Sequence, residues 1–597
     1  MSEREMTLYS AFADTASRYP NRAALMYRAG GGEYECITYS ELISTVDALA
    51  AALAGLGVAD GDRVAIFAYH GPEWVMADLA VARLGAIVVP LYHTLTPVSV
   101  GHILGVSGSR LAFVEGARLF AKVDGIRGDL PDLETVVIFD TAGMEPARRY
   151  VPFTDLLRAG ERAVRDSGPP ALPSVSPHDV ATIIFTSGTT GDPRGVMLSH
   201  ANILATAFAA IRRFHISPED VFLSFLPVSH VFEKTCGFYA MLLAGVTIAY
   251  AKDLSSITRD IREVRPTIVL VVPRIIQGVF EAARRKLRRA SPFRRELIAR
   301  GTRVLVKYAA LKRRGRPIRL GLRFKHFIYD RLVAAKFRNM AGGRVRVIVS
   351  GGAPLDRHLS EIVLAMGLEI VEGYGLTEAA PLVSANSVEH NAVGTVGKPF
   401  EHLEVRIGDD DEILVRGPNV MKGYYKDAEA TARVLDAGGW LHTGDQGRFD
   451  SAGNLIITGR LKEIIVTSHG KNVAPYPIES RIKTSRYIHQ CMLCGDNEKC
   501  ITAIVVPDRD SIESFARENG LEFDDYASLL TATPVMHLIA GEIQAATKHL
   551  ADHEKVARFT LLPEPFAVGN DLLTPTLKLR RSRIAERYSE AISAMYR

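Results

Sequence analysis

The chain has 597 residues, a formal net charge of +5 and 47% hydrophobic residues. This length exceeds the roughly 250–300 residues at which a single core stops growing, which excludes a one-domain protein and favours a large enzyme. The N-terminal MSEREMTLYS lacks an apolar h-region, so we expect no secretory signal and a cytoplasmic location.

The first predicted elements alternate between short apolar strands and helices. From Arg63 they read RVAIFAY, PEWVMADLAVARLG, AIVVPLY, a second helix, RLAFVE and ETVVIFD. This alternation is typical of a parallel sheet covered by helices. A second series begins at VATIIF and continues through VFLSFLPV, VTIAYA, TIVLVVP and VRVIVS, which predicts a second sheet of the same kind.

The longest uncharged apolar run lies within the second series, from Thr235 to Ala251. It is shorter than the roughly 20 residues of a membrane-spanning helix and is interrupted by Gly245. We therefore interpret it as a buried helix followed by a strand.

The pattern changes after Gly394 to short strands and turns, LEVRI, EILVRG and NLIITG. We predict an α/β fold with two doubly wound subdomains and a small β subdomain in a large N-terminal domain, residues 1–459. A smaller, mobile α+β domain, residues 460–597, follows at GRLKEII. Within it, Cys491, Cys494 and Cys500 cluster as CMLCGDNEKC, but CMLC fits an alternating strand better than a metal site, because no fourth ligand has zinc-site spacing.

One segment carries the excess positive charge: residues 284–346 hold 22 Lys and Arg but only two acidic residues, Glu296 and Asp330. Apolar residues recur within it at helical spacing. They are Phe293, Leu297, Val304, Tyr308 and Leu311, and they are flanked by Arg294, Arg300, Arg303, Lys307 and Lys312. Two interpretations stay open: a helix packed on the body with solvated charges, or peripheral contact with an anionic membrane at the inner face of the cell membrane. Nucleic acid is not expected, since no recognition motif accompanies the charge.

The stretch TSGTTGDPRG, from Thr186 to Gly195, follows the apolar run IIF and precedes a helical pattern. It does not match a Walker phosphate loop, which ends in GK[ST]. Its glycines would nevertheless let successive N–H groups surround an anion, and its hydroxyls add donors. Arg194 can bind phosphate oxygens with two N–H groups. A phosphate-binding loop is therefore predicted from Thr186, Ser187, Gly188, Thr189, Thr190, Gly191 and Arg194.

Six motifs in this order resemble those of the adenylate-forming superfamily of acyl-CoA synthetases, luciferases and peptide-synthetase adenylation domains. They are TSGTTGDPRG, SGGAPL, EGYGLTE, WLHTGD, GRLKEII and TPTLKLRR. The resemblance covers essentially the whole chain. One departure is Arg194, where the family usually has Lys; it keeps the charge, so we expect activity with altered pyrophosphate handling.

The resemblance implies roles for individual residues. Glu378 would bind Mg²⁺, with Thr186 as a second contact, and Tyr374, Gly375 and Thr377 would lie along the adenine and α-phosphate. Asp445 would accept the ribose hydroxyls, with Arg460 beside it. The nucleotide site would also include the glycines and the acid of the SGGAPL and EGYGLTE motifs, Gly351, Gly352, Glu372 and Gly373.

The same resemblance implies two half-reactions and a hinge. Lys578 would bridge the carboxylate and the α-phosphate during adenylation, and Lys462 would be the hinge of the C-terminal domain. Gly470 and Lys471 would then line a path for the CoA thiol. His230 would gate substrate and thiol access, although a purely structural histidine remains an alternative.

The motif variants most resemble long-chain fatty acyl-CoA synthetases, which implies fatty acid, ATP and CoA as substrates and Mg²⁺ as cofactor. Two alternatives stay open: a fatty acyl-AMP ligase that loads a carrier protein, and a non-catalytic lipid-binding paralogue. Chain length and oligomeric state are not readable, because residues lining an acyl tunnel have the same apolar pattern as a core.

Overall fold

The structure is a computed structural model that describes residues 5–30, 32–145, 149–186, 193–253, 255–574 and 578–597. The predicted loop residues Ser187, Gly188, Thr189, Thr190 and Gly191 lie outside the described residues.

The first sheet has eight strands in the described residues, and its centre is parallel. In spatial order these are Gly423–Tyr424, Arg194–Ser199, Val180–Thr186, Ile87–Leu91, Arg63–Phe67, Leu111–Val114, Thr135–Ile138 and Val151–Pro152. Arg194–Ser199 runs antiparallel to Val180–Thr186, so a strand separates the predicted phosphate loop from the next helix. The sequence analysis did not recognise this strand, because its apolar run, VML, is short.

The second sheet has nine strands in the described residues. The carboxyl ends of its central strands lie at the candidate active site. Their order is Lys398–Pro399, Leu382–Ala385, Ile370–Gly375, Val347–Ser350, Ile268–Val271, Val221–Ser224, Thr247–Tyr250, Ala23–Arg28 and Tyr34–Thr38. The expectation that Val180–Thr186 opens this sheet was wrong, because Thr182 pairs with Val88 of the first sheet. A fully buried apolar strand carries no signal for which parallel sheet it joins.

Helices connect these strands, as the alternating pattern predicted. Those of the N-terminal part are Leu8–Arg18, Tyr39–Gly55, Pro72–Arg83, Pro97–Ser107, Gly116–Asp124, Phe153–Ser167, His200–Phe214, Ala240–Leu243, Ile257–Val264, Pro273–Arg288, Pro292–Arg313, Leu320–Tyr329, Ala335–Met340, Arg357–Ala365 and Ala428–Val434. The apolar run after Thr235 forms a buried π-helical turn, Glu233–Tyr239, a short helix and the strand Thr247–Tyr250, as expected. None of the helices in the described ranges has the length and apolar character needed to cross a bilayer.

An ion pair buried in the core joins the two doubly wound layers. Asp78 lies on the helix Pro72–Arg83 and Lys234 on the π-helical turn, and each side chain is 1% exposed. The Lys234 ammonium donates to both carboxylate oxygens, at 2.7 Å to Oδ2. The Tyr239 hydroxyl donates to the same Oδ2 at 2.8 Å, so the buried charges are paired and hydrogen-bonded.

The small β subdomain forms a four-stranded antiparallel sheet, as expected from its short strands. Its order is Glu404–Ile407, Glu412–Arg416, Leu441–Phe449 and Leu455–Arg460. The last strand ends at Arg460, directly before the 3-10 turn Leu461–Glu463 that contains Lys462.

The C-terminal segment has hydrophobic cores of its own, separate from the large cluster that ends at Leu455. Its strands are Ile465–Val466, Asn472–Val473, Ile488–Cys494, Ile501–Pro507 and Val556–Leu561, and its helices are Pro475–Ile482, Arg509–Glu518, Tyr526–Thr531, Thr533–Thr547, Arg581–Arg587 and Ser589–Ala594. Cys491 and Cys494 lie in the strand that their alternating pattern predicted.

The basic segment packs differently from the predicted stripe. Its helix Pro292–Arg313 contacts the helix Arg357–Ala365 through Leu305, which joins Ala334, Ala365 and Met366 in a small core. Phe293, which the packed-helix interpretation would bury, is 79% exposed. The inward face is rotated from the predicted one because a second amphipathic helix, Leu320–Tyr329, packs beside the first.

Candidate active site

The candidate site begins where the strand Ile370–Gly375 ends, at the carboxyl edge of the second sheet, a usual ligand position in α/β proteins. Tyr374 lies on this strand, and Thr377 and Glu378 lie in the 3-10 turn that follows. At Gly375 a Cβ atom would be 1.7 Å from the Pro381 carbonyl oxygen, so only glycine fits. Local packing thus explains the glycine within YGLTE.

Asp445 accepts two side-chain hydrogen bonds from residues of two other strands. The Tyr374 hydroxyl donates to Oδ2 at 2.7 Å, and the Arg460 guanidinium Nε lies 2.7 Å from Oδ1. The Asp445 carboxylate raises the pKa of Arg460, and burial together with Asp445 raises the pKa of Tyr374. Asp445 therefore accepts one hydrogen bond at each carboxylate oxygen, and both oxygens still have lone pairs for further hydroxyl donors.

Asp445 lies in the strand Leu441–Phe449 and is held there by the small β subdomain. The Thr443 hydroxyl donates to the Ile413 carbonyl at 2.7 Å and accepts from the Asp445 N–H at 3.1 Å. Glu412 accepts the Gly444 N–H at 2.9 Å, and its other oxygen lies 2.8 Å from the His442 ring. The neighbouring strand Glu412–Arg416 thereby holds the TGD stretch, which orients Asp445 towards Tyr374.

Glu378 is half-buried and contacts the strand beside the predicted phosphate loop. Its Oε1 accepts a 2.9 Å hydrogen bond from the Tyr424 hydroxyl. The Arg194 guanidinium lies 5.8 Å from the centre of the Tyr424 ring and 3.4 Å from Asp427. Thr186, at the end of its strand, donates to the Arg194 carbonyl at 3.5 Å. Glu378 and Arg194 therefore both lie beside one aromatic residue, Tyr424, and Thr186 is linked to Arg194.

Lys578 of the C-terminal segment faces this same cluster. Its side chain is open to solvent, yet surrounding protein and the charge of Arg460 lower its pKa, while Asp445, Glu463 and Glu378 oppose the shift. Charges act on one another in this way only across short distances. The charges of Asp445 and Glu378, in the large N-terminal part, thus act on the predicted lysine.

His230 lies nearby, before the π-helical turn. Its ring Nδ1 accepts the Phe232 N–H at 3.1 Å, and its ring packs edge-on against Tyr92. Burial lowers the pKa of His230 to about 4, with the Lys578 charge adding to the shift. The imidazole is therefore neutral at physiological pH, which suits a gate better than a charged ligand.

The glycines and the acid of the other motifs lie beside the same edge. At Gly351 a Cβ atom would be 3.0 Å from the Phe232 ring, and Gly352 has φ +80°, where glycine is favoured. Glu372 accepts the Leu355 N–H at 3.1 Å, and burial raises its pKa to about 7. Gly373, directly before Tyr374 in the same strand, pairs with Ala385 of the neighbouring strand.

Two predicted residues lie elsewhere in this arrangement. Gly470 and Lys471 form an exposed turn between Ile465–Val466 and Asn472–Val473, held by a hydrogen bond from the Lys471 N–H to the Thr467 hydroxyl. In the ranges that the structure describes, no hydrogen bond or ion pair connects them to Glu378 or Asp445.

Arg581, three residues after Lys578, links the lysine-bearing segment to the predicted hinge. Its Nη2 lies 2.7 Å from Glu479, whose side chain is 2% exposed, and its Nε lies 3.4 Å from Glu463. The other Glu479 oxygen accepts the Leu493 N–H at 2.7 Å. The sequence analysis missed this buried network and Tyr424, because none of the motifs assigns a role to these residues. Arg581 does lie within the motif TPTLKLRR, which is the one signal that could have pointed to it.

Replacing Arg581 by methionine should destabilise the C-terminal core by roughly 3 kcal/mol, because Glu479 is left as a buried, unpaired charge. Hydrogen exchange of the amides in Ile488–Cys494 measures this local stability. The neighbouring Arg580→Met is a matched control, because its partner Asp571 is 61% exposed and such pairs contribute below about 1 kcal/mol. Equal losses in the two variants would contradict the assignment.

Two family models match the chain. The model for AMP-binding enzymes matches residues 12–425, and that for the AMP-binding enzyme C-terminal domain matches residues 462–597. This chain belongs to the AMP-binding enzyme family. The adenylate-forming resemblance of the six motifs is thereby confirmed.

Curated members of this AMP-binding family are similar over nearly the whole chain. Long-chain-fatty-acid–CoA ligase FadD15 of Mycobacterium tuberculosis is 33% identical, covering 99% of each chain. Long chain acyl-CoA synthetase 7 of Arabidopsis thaliana is 32% identical, covering 99% of this chain and 86% of the relative. Human long-chain-fatty-acid–CoA ligase 1 is 31% identical with the same coverage.

Solved structures of AMP-binding enzymes share the fold. The adenylation domain of a carboxylate reductase from Mycobacterium chelonae superposes with a TM-score of 0.77 at 24% identity, covering 99% of this chain and 91% of that one. The anthranilate CoA ligase AuaEII, in complex with anthranoyl-AMP, gives 0.74 at 19% identity, covering 99% and 98%. The predicted α/β fold, with a large N-terminal and a smaller C-terminal domain, is confirmed.

Proposed function

We propose that this protein is an AMP-forming long-chain fatty acid:CoA ligase that uses ATP, Mg²⁺ and CoA. The names of the full-length relatives agree with the function expected from the motifs. The observation that carries the proposal is the Asp445 carboxylate, which the Tyr374 hydroxyl and the Arg460 guanidinium hold at 2.7 Å each beside the end of the strand Ile370–Gly375. An arrangement of opposed charges around one cleft suits a reaction dominated by charge.

In the first half-reaction a carboxylate oxygen of the fatty acid attacks the α-phosphorus of ATP. The bond from this phosphorus to the bridging oxygen breaks, and pyrophosphate leaves with the electron pair. Asp445 would accept the ribose hydroxyls while Tyr374 and Arg460 hold its carboxylate in place. Lys578 would lie between the reacting carboxylate and the phosphate, where it offsets the developing negative charge.

The residues around Glu378 fit Mg²⁺, which prefers carboxylate and hydroxyl oxygens. Within the described residues Tyr424 donates to one oxygen of the Glu378 carboxylate, and Thr186 ends the strand Val180–Thr186, which the strand Arg194–Ser199 separates from Gly423–Tyr424. Bound there, Mg²⁺ would neutralise phosphate charge and orient the leaving pyrophosphate. Arg194 would bind the same phosphates together with Ser187, Gly188, Thr189, Thr190 and Gly191.

In the second half-reaction the CoA sulfur attacks the acyl carbon, its proton passes to solvent, and AMP leaves. We propose that residues 460–597 turn about Lys462 between the two steps, carrying Lys578 away. Gly470 and Lys471 would then reach the adenylate, which is supported by their exposed position outside the present cluster. Closure in each step excludes water that would hydrolyse acyl-AMP.

Palmitate should stimulate exchange of labelled pyrophosphate into ATP, and palmitoyl-CoA should accumulate when CoA is added. Acids of graded length and a phosphopantetheinylated carrier protein are assayed in parallel. Exchange with transfer only to the carrier would indicate a fatty acyl-AMP ligase. No exchange with any acid would indicate the non-catalytic paralogue and contradict the proposal.

We propose in addition that the basic segment, residues 284–346, makes peripheral contact with anionic membrane. Its two acidic residues are already engaged, Glu296 with Arg300 and Arg303 and Asp330 with Arg338. The remaining Lys and Arg side chains leave this surface strongly positive. Nucleic acid stays an unfavoured partner, for the reason given by the sequence.

A further inference from the structure

Exposed apolar side chains are concentrated in a small part of this protein. Of the twelve large apolar residues that are exposed in the described ranges, seven lie between Phe293 and Met340. They are Phe293, Leu320, Phe324, Phe327, Ile328, Leu332 and Met340. Scattered apolar residues need no explanation on a protein surface, but such a concentration marks an interaction site.

Most of these residues form one stripe along the helix Leu320–Tyr329 and the π-helical turn Asp330–Ala334. Leu320, Phe324, Ile328 and Leu332 recur every four residues, which places them on one helical face. Leu320 is 80% and Phe324 66% exposed. The sequence analysis did not identify this stripe. The apolar stripe that it predicted lies on the preceding helix, Pro292–Arg313.

The opposite face of this helix already has its packing partner. His326 stacks on Tyr308 of the helix Pro292–Arg313 with ring centres 3.7 Å apart. Tyr329 packs into the small core around Leu305. Folding therefore half-buries the inner face and leaves the outer apolar stripe uncovered.

Positive charges surround the uncovered stripe. A groove of ≈ 550 Å³ runs between the two helices, and its lining combines cations with apolar side chains. The residues that line it are Arg300, Arg303, Val304, Phe324, Lys325, Ile328 and Tyr329. At the other edge, the Arg331 guanidinium lies 4.5 Å from the centre of the Phe327 ring. Glu296 is the acid that pairs with Arg300 and Arg303, so the groove keeps a net positive charge.

We propose that the helical face defined by Leu320, Phe324, Phe327, Ile328 and Leu332 docks on an anionic bilayer, with a lipid phosphate in the groove between Arg300, Arg303 and Lys325. An interfacial helix combines apolar side chains that enter the headgroup boundary with cations that attract anionic lipid. The long Lys and Arg side chains can extend to phosphates while the apolar residues go deeper. The inference rests on the proposed function, because a long-chain acid partitions into bilayers and the docked protein would meet its substrate there.

The test measures co-sedimentation with phosphatidylcholine vesicles, with and without phosphatidylglycerol. Two triple variants are compared with wild type: Phe324→Ser/Phe327→Ser/Ile328→Ser, and Arg300→Gln/Arg303→Gln/Lys325→Gln. The charge variant should bind anionic vesicles roughly 100-fold more weakly, and the apolar variant at least about tenfold more weakly. Wild type should bind neutral vesicles weakly.

Matched controls remove the same chemistry elsewhere. Arg158→Gln/Arg162→Gln/Arg165→Gln takes three exposed charges from the helix Phe153–Ser167, and Phe523→Ser removes an exposed aromatic ring from the C-terminal segment. Both should bind like wild type. Vesicle-free turnover of a water-soluble medium-chain acid should be unchanged in every variant, which shows that folding is intact.

Three outcomes would overturn the inference: no binding of wild type to anionic vesicles, unchanged binding of both triple variants, or equal losses in the controls. The first of these, combined with capture of a specific acidic protein, would assign the surface to a protein partner. Failure of the ligase proposal would give a different result: the protein would still bind anionic vesicles, but no acid would yield a thioester.

Discussion

Replacement of Lys578 by alanine is expected to lower the rate of acyl-AMP formation by about 10²–10³, the usual effect of removing one preorganised charge from a transition state. The same variant should convert synthetic acyl-AMP and CoA into thioester at a near-normal rate, since Lys578 would have left the site by then. Pyrophosphate exchange and thioester formation are therefore measured separately. Lys555→Ala, which removes a lysine from an exposed ion pair with Asp552, should change neither rate.

Lys462→Pro should give the reverse pattern. Proline fixes φ at the proposed hinge and removes an N–H, so the domain would keep the arrangement in which Lys578 faces Asp445. Adenylation should persist while thioester formation falls by at least about tenfold. If both variants lose the same half-reaction to the same extent, the two-state domain mechanism does not apply to this protein.

Glu378→Gln is expected to reduce adenylation by about 10³-fold or more while leaving the fold intact. The amide occupies the same space and can still accept a hydrogen bond from Tyr424, but it brings no negative charge to Mg²⁺. Pyrophosphate release is measured across a Mg²⁺ series, alongside the melting temperature. Higher Mg²⁺ should recover part of the activity if the loss is in metal binding.

The control for this variant is Glu564→Gln, which neutralises a carboxylate that is 70% exposed in the C-terminal segment. It should release pyrophosphate like wild type. Near-normal release by Glu378→Gln, at an unchanged melting temperature, would remove Glu378 from the metal site.

The sequence predicted the elements of this fold well because each buried strand is a short apolar run between turn residues. It could not assign Val180–Thr186 to the correct sheet, since pairing with Val88 depends on contacts distant in the chain. It also left open whether the apolar stripe of Pro292–Arg313 packs on the body, and it did not identify Leu305 as the residue that joins the small core. The helix that packs beside Pro292–Arg313 determines which of its faces is buried. The spacing of Phe293 and the other apolar residues of the predicted stripe carries no information about that neighbouring helix.

The candidate site followed from motifs where one residue carries one role, as with Tyr374, Glu378, Asp445 and Lys578. The supporting contacts did not follow, because they join residues of unremarkable sequence context. Tyr424 lies in KGYYK, and only the structure shows that its hydroxyl donates to Glu378 while its ring lies beside Arg194. Arg194 in place of the usual lysine thus has an aromatic neighbour whose face attracts a guanidinium.

The buried Asp78–Lys234 pair has a consequence for how the molecule folds. A partial opening that separates Asp78 from Lys234 before water enters would leave a carboxylate and an ammonium unpaired in an apolar core, and neither charge tolerates that environment alone. Partial opening between the layers is therefore costly, so they should gain and lose structure together. Although each sheet resembles a module of its own, the two are expected to form one cooperative unit, with residues after Arg460 melting independently around their separate cores.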